Sequence, residues 1–169
     1  EKIMKLKIKN IKFFFQLTSI TNYELMEQYF KKYKFDVIYH AAAYKHVPIV
    51  EDNVLDAVSN NVFGTYNLIK LSIKYKVNNF TLISSDKAVR SKNLMGLTKR
   101  FSELIVQAYS SNNKKIYNIV RFGNVIGSSG SVINTFYDQI KNGENLTVTH
   151  QDIIRYFMSI KEAVGLVLE

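Results

Sequence analysis

The chain has 169 residues, no cysteine, and 23 Lys and Arg against 14 Asp and Glu, which gives a formal net charge of +9. The absence of cysteine excludes a disulfide scaffold, a cysteine-ligated zinc or iron–sulfur centre and a thiol nucleophile. The hydrophobic share of 47% indicates a folded domain, and no apolar run approaches the ~20 residues that cross a bilayer.

Short apolar runs alternate with longer amphipathic ones in the first half of the chain. Residues 11–17, IKFFFQL, predict a strand, and Thr21 or Asn22 can cap the helix that follows. DVIYH at 36–40 predicts a second strand, and an apolar stripe predicts a helix over about 60–76.

The same alternation continues in the second half. Strands are predicted at 80–84, 115–122 and 147–149, and helices at 95–110, about 131–141 and 161–169. The single Pro and the absence of a linker or repeat predict one domain over 1–169. Alternating strands and helices with nearly continuous apolar strands predict an α/β fold, a parallel sheet with helices on both faces. The ligand crevice of such a sheet lies beyond the carboxyl ends of its strands.

Small residues follow the second predicted strand, in HAAAYKHVPIVE at 40–51. Ala41 and Ala42 allow either a flat ligand or a tightly packed helix to approach the backbone, and the sequence alone does not decide between the two. The spacing of His40, His46 and His150 matches no metal-ligand motif, so we expect no metal site.

Polar side chains follow the third predicted strand. Ser85, Asp86 and Lys87 stand at its end, and Lys99 lies one helical turn beyond Met95. This set offers a hydroxyl, a carboxyl group and two amines, which suits acid–base chemistry on a polyol if one lysine is held neutral. The alternative is a turn with a surface ion pair.

The fourth predicted strand leads into RFGNVIGSSGSV at 121–132. Such a glycine- and serine-rich loop before a helix can receive a phosphate on its free backbone N–H groups. A loop of this kind is weak support by itself.

Several long motifs occur in one order and resemble a known family: HAAAYKHVPIVE, NNVFGTYN, ISSDKAV, MGLTKR, VRFGNVIGSSGSV, TVTH and RYFMSIKEAVGLV. They resemble the nucleotide-sugar 4,6-dehydratases of the CapD-like polysaccharide-biosynthesis family, a branch of the extended short-chain dehydrogenases/reductases. The resemblance covers nearly everything from about residue 13 onward.

The resemblance implies an NAD-dependent lyase that converts UDP-N-acetylglucosamine to a UDP-4-keto-6-deoxy sugar for surface polysaccharide. It also implies a UDP-N-acetylhexosamine as substrate and a homo-oligomeric full-length protein. No nucleic-acid partner is expected, because the sequence offers neither arginine forks nor stacking aromatics arranged along one surface. A cytoplasmic location is expected, with the parent anchored at the inner membrane through an N-terminal region that this chain lacks.

By resemblance, four residues carry the chemistry. Asp86 matches the acid that protonates the departing C6 hydroxyl, and Lys87 matches the base at C5. Ser85 matches a hydroxyl near the C4 oxygen, and Lys99 matches the lysine that holds the nicotinamide ribose.

Met95 stands where most short-chain dehydrogenases carry the tyrosine of YxxxK. Because a thioether cannot exchange a proton, C4 deprotonation would depend on Ser85, Lys99 or a water molecule. A methionine at this position resembles the membrane-anchored subgroup of these dehydratases, which retains the configuration at C5 of the sugar.

The resemblance also predicts binding residues. Those for NAD are Ala41, Ala42, Asn61 and Lys99. Those for the UDP-sugar are Lys45, His46, Asn124, Ser129, Ser131 and Arg155. Asn61 as a helix cap and Arg155 as a surface charge are the main alternatives.

No GxGxxG, the family's pyrophosphate-binding turn, occurs in the 169 residues. We therefore expect a partial domain that is truncated at both ends, lacks the first βαβ unit and is inactive alone. Residues 11–17 would then be an edge strand without its native neighbour.

Two other functions stay open. One is a C5-inverting dehydratase or a nucleotide-sugar epimerase of the same superfamily. The other is a non-catalytic binding module that uses the basic surface.

Overall fold

The computed structural model describes residues 11–110, 116–128, 132–148 and 150–169. These residues form a three-stranded parallel sheet in the order β1 (Val37–His40), β2 (Asn79–Ser85), β3 (Ile116–Phe122). A separate parallel pair joins β4 (Asn124–Val125) to β5 (Phe157–Met158). The central position of β2 places its carboxyl end, Ser85, beside Phe122 of β3. The predicted α/β class with a parallel sheet is confirmed.

Helices precede, connect and follow the strands. They are α1 (Tyr23–Tyr33), α2 (Val47–Asp52), α3 (Val54–Val58), α4 (Gly64–Lys74), α5 (Leu94–Ser110), α6 (Val132–Lys141) and α7 (Ile160–Leu168). A π-helical turn, Ser59–Phe63, leads into α4, and a 3₁₀ turn, Asp86–Ala88, follows β2.

Side-chain caps fix two helix starts. The Asn22 side chain accepts a hydrogen bond from the backbone N–H of Leu25 at 3.0 Å, so Asn22 rather than Thr21 caps α1. Ser159 and Glu162 form a reciprocal capping box at the start of α7. Such caps satisfy N–H groups that a helix start leaves without partners.

The main core lies on one face of the sheet. Phe80 and Leu82 of β2 point to the same face because residues two apart in a strand share a face. There they join Phe30 of α1, Ile69 of α4 and Val106 of α5, all of which are buried. On the opposite face of the sheet Val37, Tyr39 and Ile116 are exposed.

The strand predicted for residues 11–17 is wrong. These residues form neither helix nor strand, and most of their side chains are exposed. The aromatic side chains that indicated a strand instead contact α1, where the ring centroids of Phe14 and Tyr33 are 5.1 Å apart. No described strand pairs with this segment, so the apolar run has no sheet to join.

The strand predicted at 147–149 is also wrong in its described part, since Thr147 and Val148 form no strand. The backbone N–H of Thr147 donates to the side chain of Gln139 at 3.2 Å, which removes it from strand pairing. Thr149 lies outside the described residues.

The sequence did not predict α2, α3, β4 or β5. Pro48 lies in the first turn of α2, where its missing N–H would have had no partner in the helix.

Candidate active site

The turn after β2 gathers three predicted catalytic residues. The hydroxyl of Ser85 accepts from the backbone N–H of Lys87 at 3.2 Å and donates to Asp86 Oδ1 at 2.9 Å. Lys87 Nζ donates to Asp86 Oδ1 at 3.1 Å and to Asn124 Oδ1 at 3.1 Å. Burial acts to raise the pKa of Asp86, but hydrogen bonds from Lys87 and Ser85 outweigh it, and the pKa is lowered.

Helix α5 lies against this turn because Gly96 has no side chain. A Cβ on Gly96 would collide with the carbonyl oxygen of Lys87. The close approach brings Met95 and Lys99, which share a face of α5, to the edge of the sheet where β2 ends.

Lys99 is 7% exposed, and its Nζ donates to the carbonyl oxygen of Ile83 at 2.7 Å. Burial lowers the pKa of Lys99 to about 8, although Glu103 acts in the opposite direction. A mixture of neutral and charged forms is therefore accessible near neutral pH, as acid–base chemistry needs.

Met95 is 4% exposed and packs against Val50 and Ala57. Its thioether lines the cleft but can neither accept nor release a proton. The position at which the family resemblance would place a catalytic tyrosine is here part of a small apolar cluster.

A cleft of about 350 Å³ lies over the carboxyl ends of the strands. It brings together most of the residues predicted from sequence, namely Ala41, Lys45, His46, Ser85, Lys87, Met95, Lys99 and Asn124. The carboxylate of Asp86 borders the cleft through its bonds to Ser85 and Lys87. The crevice therefore lies where a parallel sheet predicts it.

Three predicted binding residues do not line this cleft. Ala42 is exposed beside it, and Arg155 is exposed with its guanidinium donating to the carbonyl oxygen of Ile154 at 3.0 Å. Asn61 is buried, and its amide bonds both backbone groups of Tyr44 and the hydroxyl of Thr98. Asn61 thus fixes the loop after β1 to α5.

Ser129 and Ser131, predicted to face the UDP-sugar, lie outside the described residues. Ser128, which precedes them, does line the cleft.

His40 is buried at the end of β1 with its Nε2 2.8 Å from the hydroxyl of Thr65. Burial, and then the charge of Lys99, lower the pKa of His40 to about 4, so the ring is neutral. Among the described residues, no group of three or more His, Asp or Glu side chains is placed to hold a metal ion.

A buried ion cluster beneath the cleft was not predicted. Glu103 of α5 is fully buried and accepts hydrogen bonds from Ser84 at 2.6 Å, from Arg100 at 3.0 Å and from two guanidinium nitrogens of Arg121, Nε and Nη2. Burial acts to raise the pKa of Glu103, but these bonds hold it at about 2. The sequence did contain a signal for this cluster: Glu103 lies in the apolar stripe of a helix, and Arg121 lies in an apolar strand. Because buried charges need partners, the two could have been expected to pair.

The fold and the cleft are those of a Rossmann-like domain, in which a crevice lies beyond the carboxyl ends of parallel strands. The chain belongs to the family described as "Polysaccharide biosynthesis protein", which matches residues 1–169. Across the described residues, no helix is long and apolar enough to span a membrane.

Named relatives agree with this assignment. The chain is 45% identical over 161 residues to the probable polysaccharide biosynthesis protein EpsC of Bacillus subtilis, covering 95% of this chain and 27% of EpsC. It is 48% identical to the capsular polysaccharide biosynthesis protein CapD of Staphylococcus aureus, covering 86% of this chain and 24% of CapD. It is also 37% identical to a UDP-glucose 4-epimerase of Rickettsia canadensis, covering 98% of this chain and 49% of the epimerase. The chain thus spans about a quarter to a half of the length of these relatives.

Solved structures share the fold. Pen from Bacillus thuringiensis superposes with a TM-score of 0.87 at 35% identity, covering 99% of this chain and 51% of Pen. The enzyme WbmG of Bordetella bronchiseptica, solved with NAD and UDP, superposes with a TM-score of 0.72 at 22% identity, covering 91% of this chain and 53% of WbmG.

Proposed function

We propose that this chain carries the catalytic residues of an NAD-dependent UDP-sugar 4,6-dehydratase that acts on UDP-N-acetylglucosamine. The observation that carries the proposal is the Ser85–Asp86–Lys87 turn, in which an amine and a carboxyl group share a 3.1 Å hydrogen bond at the edge of the cleft. A base and an acid held side by side are what elimination of water from adjacent carbons requires.

The residues of the cleft suit a flat cofactor. Ala41 and Ala43 present only methyl groups, and Lys99 is held at the floor. Ala41 and Lys99 line the cleft and would hold NAD there, whereas Ala42, which lies beside the cleft, stays a prediction. When bound, NAD would supply the redox chemistry, by taking a hydride from C4 of the sugar and returning it to C6. The proton of the C4 hydroxyl would pass to Ser85, Lys99 or a water molecule, and protonated Lys87 would return the proton to C5 as the hydride reaches C6.

The acid–base steps follow from the pair. Lys87 takes the proton from C5, and the electron pair of that bond forms the C5–C6 double bond as the C6–O bond breaks. Asp86 gives its proton to the departing oxygen, which leaves as water. The ion pair of Lys87 with Asp86 holds the same number of protons as a neutral amine beside a carboxylic acid. Moving one proton from Lys87 Nζ to the other carboxylate oxygen of Asp86, Oδ2, through a water molecule therefore produces the reactive form and leaves Oδ1 able to accept a remaining N–H of Nζ.

The test needs a protein that includes a pyrophosphate-binding turn, because this sequence contains no GxGxxG. A chimera in which this chain replaces the matching 51% of Pen keeps this cleft, and NAD binding measured first on the chimera establishes whether the rest of Pen supplies the turn. We expect the chimera, given NAD and UDP-N-acetylglucosamine, to form a product lighter by one water in mass spectrometry. If both ligands bind and no water is lost, the proposal is wrong.

Lys87→Met in the chimera should lower the rate of water loss by about 10²–10⁴-fold, the usual contribution of a general base. Lys92→Met is the matched control, since Lys92 is an exposed lysine five residues along the same loop. NAD binding, followed by fluorescence, should be unchanged in both variants. Loss of NAD binding in Lys87→Met would mean that Lys87 has a structural role instead.

A nucleotide-sugar epimerase is the second candidate, favoured by the 37% identity to the UDP-glucose 4-epimerase of Rickettsia canadensis. Epimerisation gives an isomer of unchanged mass and exchanges no proton at C5. The same mass measurement, followed by chromatography of the nucleotide sugars, separates the two activities. Homo-oligomerisation and attachment of a longer parent to the cytoplasmic face of a membrane stay predictions of the family resemblance.

A further inference from the structure

Asn124 contacts the proposed base rather than standing free in the cleft. Its Oδ1 accepts a hydrogen bond from Lys87 Nζ at 3.1 Å, and Asp86 Oδ1 accepts another from the same nitrogen at 3.1 Å. From sequence, Asn124 was expected to face the UDP-sugar. The described geometry gives it a partner in the catalytic turn.

The two acceptors have a chemical consequence for Lys87. A neutral amine has two N–H donors and one lone pair. When Asp86 and Asn124 accept both N–H groups, the direction of the lone pair is fixed by the two acceptors. An amide oxygen can do this without adding a negative charge, which would favour the ammonium form that has no lone pair.

The backbone around Asn124 is itself held in place. The N–H of Asn124 donates to the carbonyl oxygen of Tyr156 at 3.2 Å, and the N–H of Ile126 donates to that of Met158 at 2.9 Å. A Cβ on Gly123 would lie 2.9 Å from the Tyr156 oxygen, so glycine is needed for this close approach. The short β4–β5 pair therefore anchors the residue that contacts Lys87.

We propose that Asn124 is a positioning residue that orients the lone pair of Lys87 toward C5 of the substrate. The inference rests on the proposed dehydratase function, because it assigns Lys87 the role of base. It makes a prediction that a role in binding UDP does not make: losing Asn124 should slow proton removal at C5 selectively, with oxidation at C4 retained.

The Pen chimera tests this with two separate readouts on UDP-N-acetylglucosamine. Oxidation at C4 is followed by the absorbance of reduced cofactor, and proton removal at C5 by uptake of deuterium from heavy water. We expect Asn124→Ala to slow deuterium uptake by about a hundredfold, as misplaced catalytic groups do, while cofactor reduction persists. Asn142→Ala, which removes an exposed asparagine at the end of α6, should change neither readout.

A second variant, Asn124→Asp, keeps an acceptor oxygen but adds a charge. We expect its C5 exchange to be low at neutral pH and to recover in more alkaline solution, whereas exchange in Asn124→Ala stays low. The other charged or titratable groups that line or border the cleft are the same in both variants, namely Lys45, His46, Lys87, Lys99 and Asp86. A difference in pH profile therefore reports the new carboxylate.

The outcomes separate the two proposals. If the unsubstituted chimera binds NAD and UDP-N-acetylglucosamine but shows no C5 exchange and no water loss, the dehydratase function and this role are both wrong. If it exchanges C5 normally and Asn124→Ala lowers both readouts equally, with full rates recovered at saturating substrate, Asn124 only binds the sugar nucleotide. That result would overturn the positioning role and leave the dehydratase function intact.

Discussion

Met95 has two structural roles, and the sequence motif indicated only its place in the site. In the structure its side chain lines the cleft beside Lys99 and also fills a small apolar cluster with Val50 and Ala57. In the proposed dehydratase, the proton chemistry that a tyrosine would perform at this position would therefore come from neighbouring groups. The residue itself contributes shape and packing.

This gives a prediction for two substitutions at Met95. Met95→Leu conserves volume and should cost less than about 1.5 kcal/mol in free energy of unfolding, with water loss in the Pen chimera retained. Met95→Tyr adds a ring to a packed site and should destabilise by about 1–3 kcal/mol. Urea unfolding and mass spectrometry measure the two effects. Loss of activity in a stable Met95→Leu protein would show that the sulfur takes part in the reaction.

His40 and Lys99 show how burial sets charge around the cleft. Both have lowered pKa values, about 4 and about 8, and burial is the main cause in each case. The sequence indicated that a lysine would have to be held partly neutral for catalysis. It could not indicate which one, because burial depends on how α5 packs on the sheet.

At the scale of elements, Glu103 ties α5 to the sheet. Ser84 of β2, Arg121 of β3 and Arg100 of α5 all donate to its carboxylate. Because Lys99 lies one turn earlier on the same helix, the cluster fixes the helix that carries part of the site. A buried charge is stable only while its partners remain.

Glu103→Gln should therefore lower the free energy of unfolding by about 3–5 kcal/mol at neutral pH. The pKa of Glu103 is lowered from 4.5 to about 2, so the unfolded chain takes up this proton at a higher pH than the folded chain. The stability from this group is complete above pH 4.5 and is lost as the pH falls toward about 2. Urea unfolding of both proteins through that range measures the difference.

The control for this experiment is Glu27→Gln, which removes a surface ion pair with Lys74 and should have a much smaller effect. Because the pKa of His40 is lowered from 6.5 to about 4, His40 also destabilises the fold as the pH falls from 6.5 toward about 4. This effect is the same in every variant and cancels from the comparison. A stability difference between the unsubstituted protein and Glu103→Gln that does not shrink with acid would contradict the assignment.

The elements that the sequence predicted well are those with a strong local pattern. The apolar strands at 36–40 and 80–84 and the long helix from about residue 95 appear close to their predicted bounds. The strands β4 and β5 have two residues each, which is too few to show an alternating pattern in the sequence. They form because backbone groups 33 positions apart meet, and that contact also decides the place of Asn124.

At the scale of the whole molecule, the sheet is covered unequally. Helices α1, α4 and α5 bury one face, whereas Val37, Tyr39 and Ile116 are exposed on the other. The aromatic residues of 11–17 lie outside the sheet, and Phe14 and Phe15 are about 60% exposed. The local run of apolar residues predicted a strand there. A strand also needs a neighbouring strand to pair with, and whether one is available depends on the whole sheet.

This arrangement predicts unequal protection from hydrogen exchange along the chain. Backbone amides of 80–84, in the central strand, should exchange slowly, because exchange there requires the sheet to open. Amides of 11–17, which form neither helix nor strand, should exchange much faster. Mass spectrometry of peptides from the two segments measures the rates, and residues 117–121 of β3 serve as a second protected reference. Equal protection of 11–17 and 80–84 would mean that the aromatic segment pairs with a sheet in solution after all.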